Sequence, residues 1–109
     1  MEAASPQEFF EKILPQIFNA NKAAGVDAIV QISLTGPNGG DWFASIKDQK
    51  IEVKNGVHPS PNLALKMADK DFLDLVNRKI SAERAFFSGK VQFKGNIGLA
   101  LKLRDAGFL

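Results

Sequence analysis

Chemistry in this chain has few side chains to work with: one histidine, no cysteine and no tyrosine occur among its 109 residues. That removes thiol nucleophiles, thiolate metal sites and any metal site built from several imidazoles. A Ser-His-Asp relay would depend on His58 alone. It stands in the turn-rich segment Gly56-Val57-His58-Pro59-Ser60-Pro61, where a solvated loop residue is the expected reading. Ser88 and Asp69 would have to join it, and no nucleophile with its base is recognisable. The carboxylates Asp69, Asp71 and Asp74 open a helical pattern, where the helix dipole favours negative charge, so they read as caps. No catalytic residue, metal site or cofactor is expected.

The elements that would position any site follow from hydrophobic period. Ser5-Pro6-Gln7-Glu8 places a capping serine, a proline at the first helical position and a glutamate three residues on. Phe9, Phe10, Ile13, Leu14, Ile17 and Phe18 then recur as one helical stripe, with Pro15 opposite it as a kink and Gly25 as the expected stop. From Asp27 the period becomes two. Val30, Ile32 and Leu34 mark one strand; after the turn Gly36-Pro37-Asn38-Gly39-Gly40, Trp42, Ala44 and Ile46 mark a second; Ile51 and Val53 mark a third. These three form an antiparallel meander.

Leu63, Leu65 and Met67 predict a fourth strand, followed by a helix burying Phe72, Leu73, Val76 and Ile80. Ser81 opens a second short helix through Phe86 and Phe87 that Gly89 ends, and Lys90 to Lys94 predicts a fifth strand with Val91 and Phe93 inward. Gly95-Asn96 caps a last helix. At about 100° per residue its apolar residues fall on two sides, Ile97, Ala100 and Leu101 against Leu99 and Leu103, so a sheet alone leaves part of it uncovered. The fold class is α+β, a five-stranded mostly antiparallel sheet with helices on one face.

Composition agrees with one globular domain over residues 1–109: 45% hydrophobic, 24% charged, formal charge +2. That charge is too small to indicate nucleic acid. No apolar run approaches the ~20 residues of a membrane span. The start Met1-Glu2-Ala3-Ala4-Ser5-Pro6 lacks secretory character, and the missing cysteines suit a reducing compartment, so a cytoplasmic protein is expected.

Three blocks carry a family resemblance. The turn Gly36-Pro37-Asn38-Gly39-Gly40 with Trp42 resembles the first hairpin of the sterol carrier protein domain. Met67-Ala68-Asp69-Lys70-Asp71-Phe72-Leu73, Ala85-Phe86-Phe87-Ser88-Gly89-Lys90 and Gly95-Asn96-Ile97-Gly98-Leu99-Ala100-Leu101-Lys102-Leu103 resemble its C-terminal half, in order and at matching separations. The resemblance implies a sheet with helices enclosing an apolar tunnel. Its ligands would be fatty acids, fatty acyl-CoA, sterols or similar lipids, carried without catalysis. The domain also occurs fused to enzymes of lipid metabolism, so a module presenting substrate to such an enzyme is the alternative. The chain resembles the free-standing form. Its end, Gly107-Phe108-Leu109, is not a peroxisomal targeting tripeptide.

Carried over by motif, the expected ligand-lining residues are Trp42, Met67, Phe72, Phe87, Ile97, Ala100 and Leu101; strand parity adds Ala44 and Ile46, and helix period adds Val76. Lys90, Lys94, Lys102 and Arg104 against Asp105 give the last twenty-one residues a net +3. Transient docking on an anionic membrane is expected there. The segment Gly95-Asn96-Ile97-Gly98 would aim backbone donors at an anion such as a CoA phosphate, or serve as a capping turn. The expected partners are thus an apolar lipid, an anionic membrane surface and a lipid-metabolising enzyme, with no nucleic acid.

Overall fold

A computed structural model describes residues 2–96, 98–100 and 102. The N-terminal helix runs as three joined segments: α1 (Pro6–Glu8), a π-helical turn (Phe9–Ile13) and α2 (Leu14–Ile17). Ser5 caps it as expected, its hydroxyl accepting from the Glu8 N–H at 3.2 Å. The π turn precedes Pro15. Leu14 N–H reaches back five residues to the Phe9 carbonyl, and the widened turn eases the proline ring past the carbonyls before it.

That extra residue per turn also breaks the expected stripe. Phe9, Phe10, Ile13 and Leu14 are buried, but Ile17 is exposed and Phe18 only half-buried. The helix stops at Ile17, not near Gly25: Phe18 turns extended at ψ 122°. Asn19 then accepts from the Lys22 N–H through its side-chain oxygen and from the Ala23 N–H through its carbonyl, starting a separate turn over residues 20–25, and such local bonding competes with helix. Gly25, at φ +79°, belongs to that turn.

Five strands follow the expected boundaries closely: β1 (Ala28–Thr35), β2 (Gly40–Lys47), β3 (Lys50–Asn55), β4 (Leu63–Ala68) and β5 (Val91–Gly95). Their order in the sheet is β3-β2-β1-β4-β5. The β1–β2–β3 meander is antiparallel, as is β4–β5; β1 and β4 are parallel, joined through the crossing segment after β3. One face collects Val30, Ile32 and Leu34, Trp42, Ala44 and Ile46, Leu63, Leu65 and Met67, and Val91, all buried.

Helices α3 (Asp69–Val76) and α4 (Ala82–Phe87) join the N-terminal helix in closing the core. On α3, Phe72 and Leu75 are the buried apolar pair, with Leu73 and Val76 half-buried; the helix ends at Val76, so the expected Ile80 packs half-buried from the turn beyond it. Ser81 caps α4 through the Arg84 N–H at 3.1 Å. Asn96 caps the last helix, its side chain accepting from the Leu99 N–H at 3.1 Å, and Leu99 and Ala100 reach the core. Ile97, Leu101, Leu103 and Arg104 lie outside the described residues. No helix among the described residues is long and apolar enough to cross a membrane.

Candidate functional site

Four aromatic rings meet where the N-terminal helix crosses the sheet. Phe10 stands at the centre, 5.1 Å from the Trp42 ring and stacked on Phe72 at 5.3 Å; Phe9 closes edge-on against both phenylalanines at 5.5 and 5.6 Å. Their helical and strand periods dictate the meeting. Phe9 and Phe10 share the inward side of the π turn, Phe72 lies inward on α3, and Trp42 follows inner-face parity on β2 opposite Ile32.

Beside this cluster a groove of about 350 Å³ opens between the N-terminal helix and strands β2 and β3. Its apolar wall is Phe10, Leu14, Trp42, Ile51 and Val53, and Glu11, Glu52 and Asn55 stand at its polar margin. The volume lies near the lower end of small-molecule sites, about 300–1,000 Å³. It exists because β3 is an edge strand: Ile51 and Val53 face inward, yet the helix covers them only in part. Glu52 is tied sideways to Lys54 at 3.2 Å.

Two buried polar side chains brace this region, and hydrophobic period does not reveal them. Gln31, on the face of β1 away from the helices, donates to the carbonyls of Trp42 at 3.0 Å and Gly56 at 3.1 Å and accepts from the His58 N–H at 2.8 Å. Its amide thus spans β2 and the loop after β3, holding the Trp42 backbone. Asp69 accepts from the Asn38 N–H at 2.9 Å and from the Lys70 N–H at 2.8 Å, tying the β1–β2 turn to the start of α3. Gly36 belongs to the same contact. Its φ is +102°, and a Cβ there would run into the Asp69 carboxylate.

The side chains once considered for a relay are spent locally. His58 accepts at Nδ1 from the Ser60 N–H at 3.0 Å and lies edge-on to Phe43; the Ser88 hydroxyl donates to the Arg84 carbonyl at 2.7 Å. Among the described residues no group of acids and histidine could hold a metal ion.

The sequence-derived lining residues divide. Trp42 lies in the groove wall; Ala44, Ile46, Met67 and Phe72 join it on the core side, with Val76 half-buried and Ala100 at the core edge. Phe87 does not join them. It is 84% exposed, on a part of α4 that faces away from the sheet. Ile97 and Leu101 lie outside the described residues. Lys90, Lys94 and Lys102 are exposed, and Arg104 is outside the described residues. Phe10, Leu14, Ile51 and Val53 were missed as groove residues, although their inward parity was legible; the half-coverage of an edge strand was not.

The fold recurs in known proteins. Hydroxysteroid dehydrogenase-like protein 2 of Rattus norvegicus is 40% identical over 78 residues, covering 70% of this chain and 15% of that protein. The chain spans 15–25% of the length of the curated dehydrogenase-like relatives it matches. The solution structure of palmitated SCP2L2 from Aedes aegypti superposes with a TM-score of 0.75 at 21% identity, covering 96% of both chains. The sec-alkylsulfatase Pisa1 from Pseudomonas sp. superposes at 0.78 with 20% identity, covering 96% of this chain and 16% of that one. The model of the SCP-2 sterol transfer family matches residues 10–106, and the chain belongs to that family.

Proposed function

We propose that this domain binds apolar lipids, fatty acids, fatty acyl-CoA or sterol-like molecules, and transfers them without catalysing a reaction. One observation carries the reading: the fold matched along 96% of both chains is that of a protein solved with palmitate. The groove beside Trp42 supports it. Ile51 and Val53 offer apolar surface at a margin only partly covered, and a lipid tail gains ~25 cal/mol for each Å² removed from water. A tail entering there would run past Trp42 and Phe72 toward Ala44, Ile46 and Met67, widening the interior into a tunnel. Loose specificity follows, because apolar burial does not select head groups. A cytoplasmic location accords with the cysteine-free sequence.

A second reading is favoured by the lengths of the relatives. This fold recurs as a small part of dehydrogenase-like and alkylsulfatase chains, which suits a module that presents lipid to a neighbouring enzyme.

Native mass spectrometry of protein purified without detergent, followed by lipid extraction, tests the binding. A discrete bound mass matching an extracted lipid is expected, and added palmitate should change the fluorescence of Trp42, the single tryptophan. Bare protein alone, with no response to palmitate, overturns the proposal. Transfer of labelled fatty acid between vesicles separates the two readings, since a carrier acts unaided and a presenting module waits for its enzyme.

A further inference from the structure

The sheet is open along β3. The Gly56 N–H donates to the Asp41 carbonyl at 2.9 Å, which places Gly56 in a hydrogen-bonded pair with β2. Antiparallel pairs alternate between bonded and unbonded, so Lys54, Glu52 and Lys50 also spend their backbone groups on β2, while Asn55, Val53 and Ile51 turn theirs outward. No described residue takes up those outward groups. The same three residues line the groove beside Trp42. Between them the side chains on the outer face alternate in sign: Lys50, Glu52, Lys54. Glu52 reaches along its own strand to Lys54 at 3.2 Å, and both stay in water, 68% and 63% exposed. An edge guarded by lysines alone repels a second copy in every register, and Glu52 in the middle changes that.

Two copies of β3 can meet antiparallel about a two-fold axis passing at Ile51, Glu52, Val53 or Lys54. An axis at Glu52 or Lys54 sets that residue against its own copy, a like-charge pair. An axis at Ile51 sets Lys50 against Glu52 but carries Val53 onto Gln49, which lies in the β2–β3 turn at φ +63° and does not extend the ladder. The axis at Val53 meets neither obstacle. It pairs Val53 with Val53 and Ile51 with Asn55, so every outward backbone group finds a partner. It also sets Glu52 against Lys54 on both sides of the axis and leaves Lys50 opposite Gly56, which has no side chain. The chain leaves the edge at that point, its Gly56 carbonyl turned back to Gln31 on β1 at 3.1 Å.

We propose that β3 pairs with β3 of a second copy of this chain about a two-fold axis at Val53, joining two five-stranded sheets edge to edge. The axis stands perpendicular to the sheet, so the helices of both copies lie on one face and inward residues stay inward. Ile51 and Val53 are only half-buried in one copy, and the second copy's Val53 and Asn55 continue the floor beside them. Each groove thereby gains the neighbouring strand that its open margin lacks. The charge pattern fits this partner because it is complementary to itself when reversed. The pairing does not depend on what the groove holds.

Sedimentation velocity of the full chain over a range of concentrations, with amide exchange followed by NMR, tests it. A dimer should form as concentration rises, and the amides of Ile51, Val53 and Asn55 should gain protection with it, while those of Glu52 and Lys54 are protected throughout by β2. Glu52→Lys brings ammonium groups together on both sides of the axis and should weaken the dimer about tenfold. Adding Lys54→Glu to that variant restores opposite signs and should recover the wild-type affinity. Val53→Pro removes an outward N–H that β2 does not use and should abolish the dimer. Both charged positions are exposed, so the exchange of Glu52 and Lys54 carries the test even where the proline variant does not fold. A chain that stays monomeric, a dimer that Glu52→Lys leaves unchanged, or one that the double exchange does not restore overturns the proposal. The second outcome assigns the dimer to another surface, and capture of a foreign strand by a monomeric chain assigns the edge to a different partner. Palmitate titration read by Trp42 is a separate question: loss of that response falls on the carrier reading and leaves the sedimentation result standing.

Discussion

Two aromatic groups on helices meet opposite fates in this molecule. Phe9, Phe10 and Phe72 sit within 1–3% exposure against Trp42, whereas Phe86 and Phe87 on α4 are 47% and 84% exposed. Residue type is the same and both groups make edge-on contacts at 5–6 Å. What differs is what lies opposite. The first group crosses the middle of the sheet, where β1 and β2 present Ile32, Ala44 and Trp42; the second ends a six-residue helix beside β5, an edge strand whose Phe93 covers one ring and no more. An aromatic pair therefore becomes core or surface according to whether the sheet continues beneath it.

The largest effect should come from the inner group. Phe72→Ala removes the ring stacked on Phe10 in a site with 1% exposure and should cost about 3–5 kcal/mol, read by urea unfolding. A loss below about 1 kcal/mol would erase the distinction between the groups, since such small losses belong to surface sites. Asp69→Ala comes next, at about 1–3 kcal/mol, because the Asn38 and Lys70 N–H groups would lose their acceptor. Its unfolding curve should shift without a change in slope if the hairpin tie is a native-state contact. The smallest effect belongs to the outer group: Phe87→Ser should stay within about 0.5 kcal/mol of wild type in the same urea unfolding, because the ring is 84% exposed. A large destabilisation there would mean that Phe87 is a packing residue and would collapse the comparison.

Much of the frame could be read before any coordinates. Ser5, Ser81 and Asn96 cap where their spacing says, and period-two patterning locates all five strands and their inward faces. Trp42 in the groove wall follows from that same parity. The miss at the first helix has a local cause: Pro15 is accommodated by a π turn, and Asn19 starts its own turn, so a stripe drawn at a constant angle overruns the true end at Ile17. The miss at Phe87 is not local. Its helical position is compatible with burial, and only the position of α4 over an edge leaves it out.

The sequence by itself determined the five strands, the caps at Ser5, Ser81 and Asn96 and which residues of each strand turn inward, because these depend on backbone geometry and on neighbours a few residues away; the carboxylates read as caps of α3 do not cap it, its N-cap being Ala68. The tertiary structure decided strand order, including the parallel β1–β4 pair, and the half-covered edge at β3 that makes the groove. It also decided that Gln31, polar in the middle of a strand, would be buried and fully bonded to three backbone groups from β2 and a distant loop. Those outcomes depend on which segments meet in space, and residues remote in the chain come together only when burial of the whole sheet face repays the entropy of closing the intervening loops.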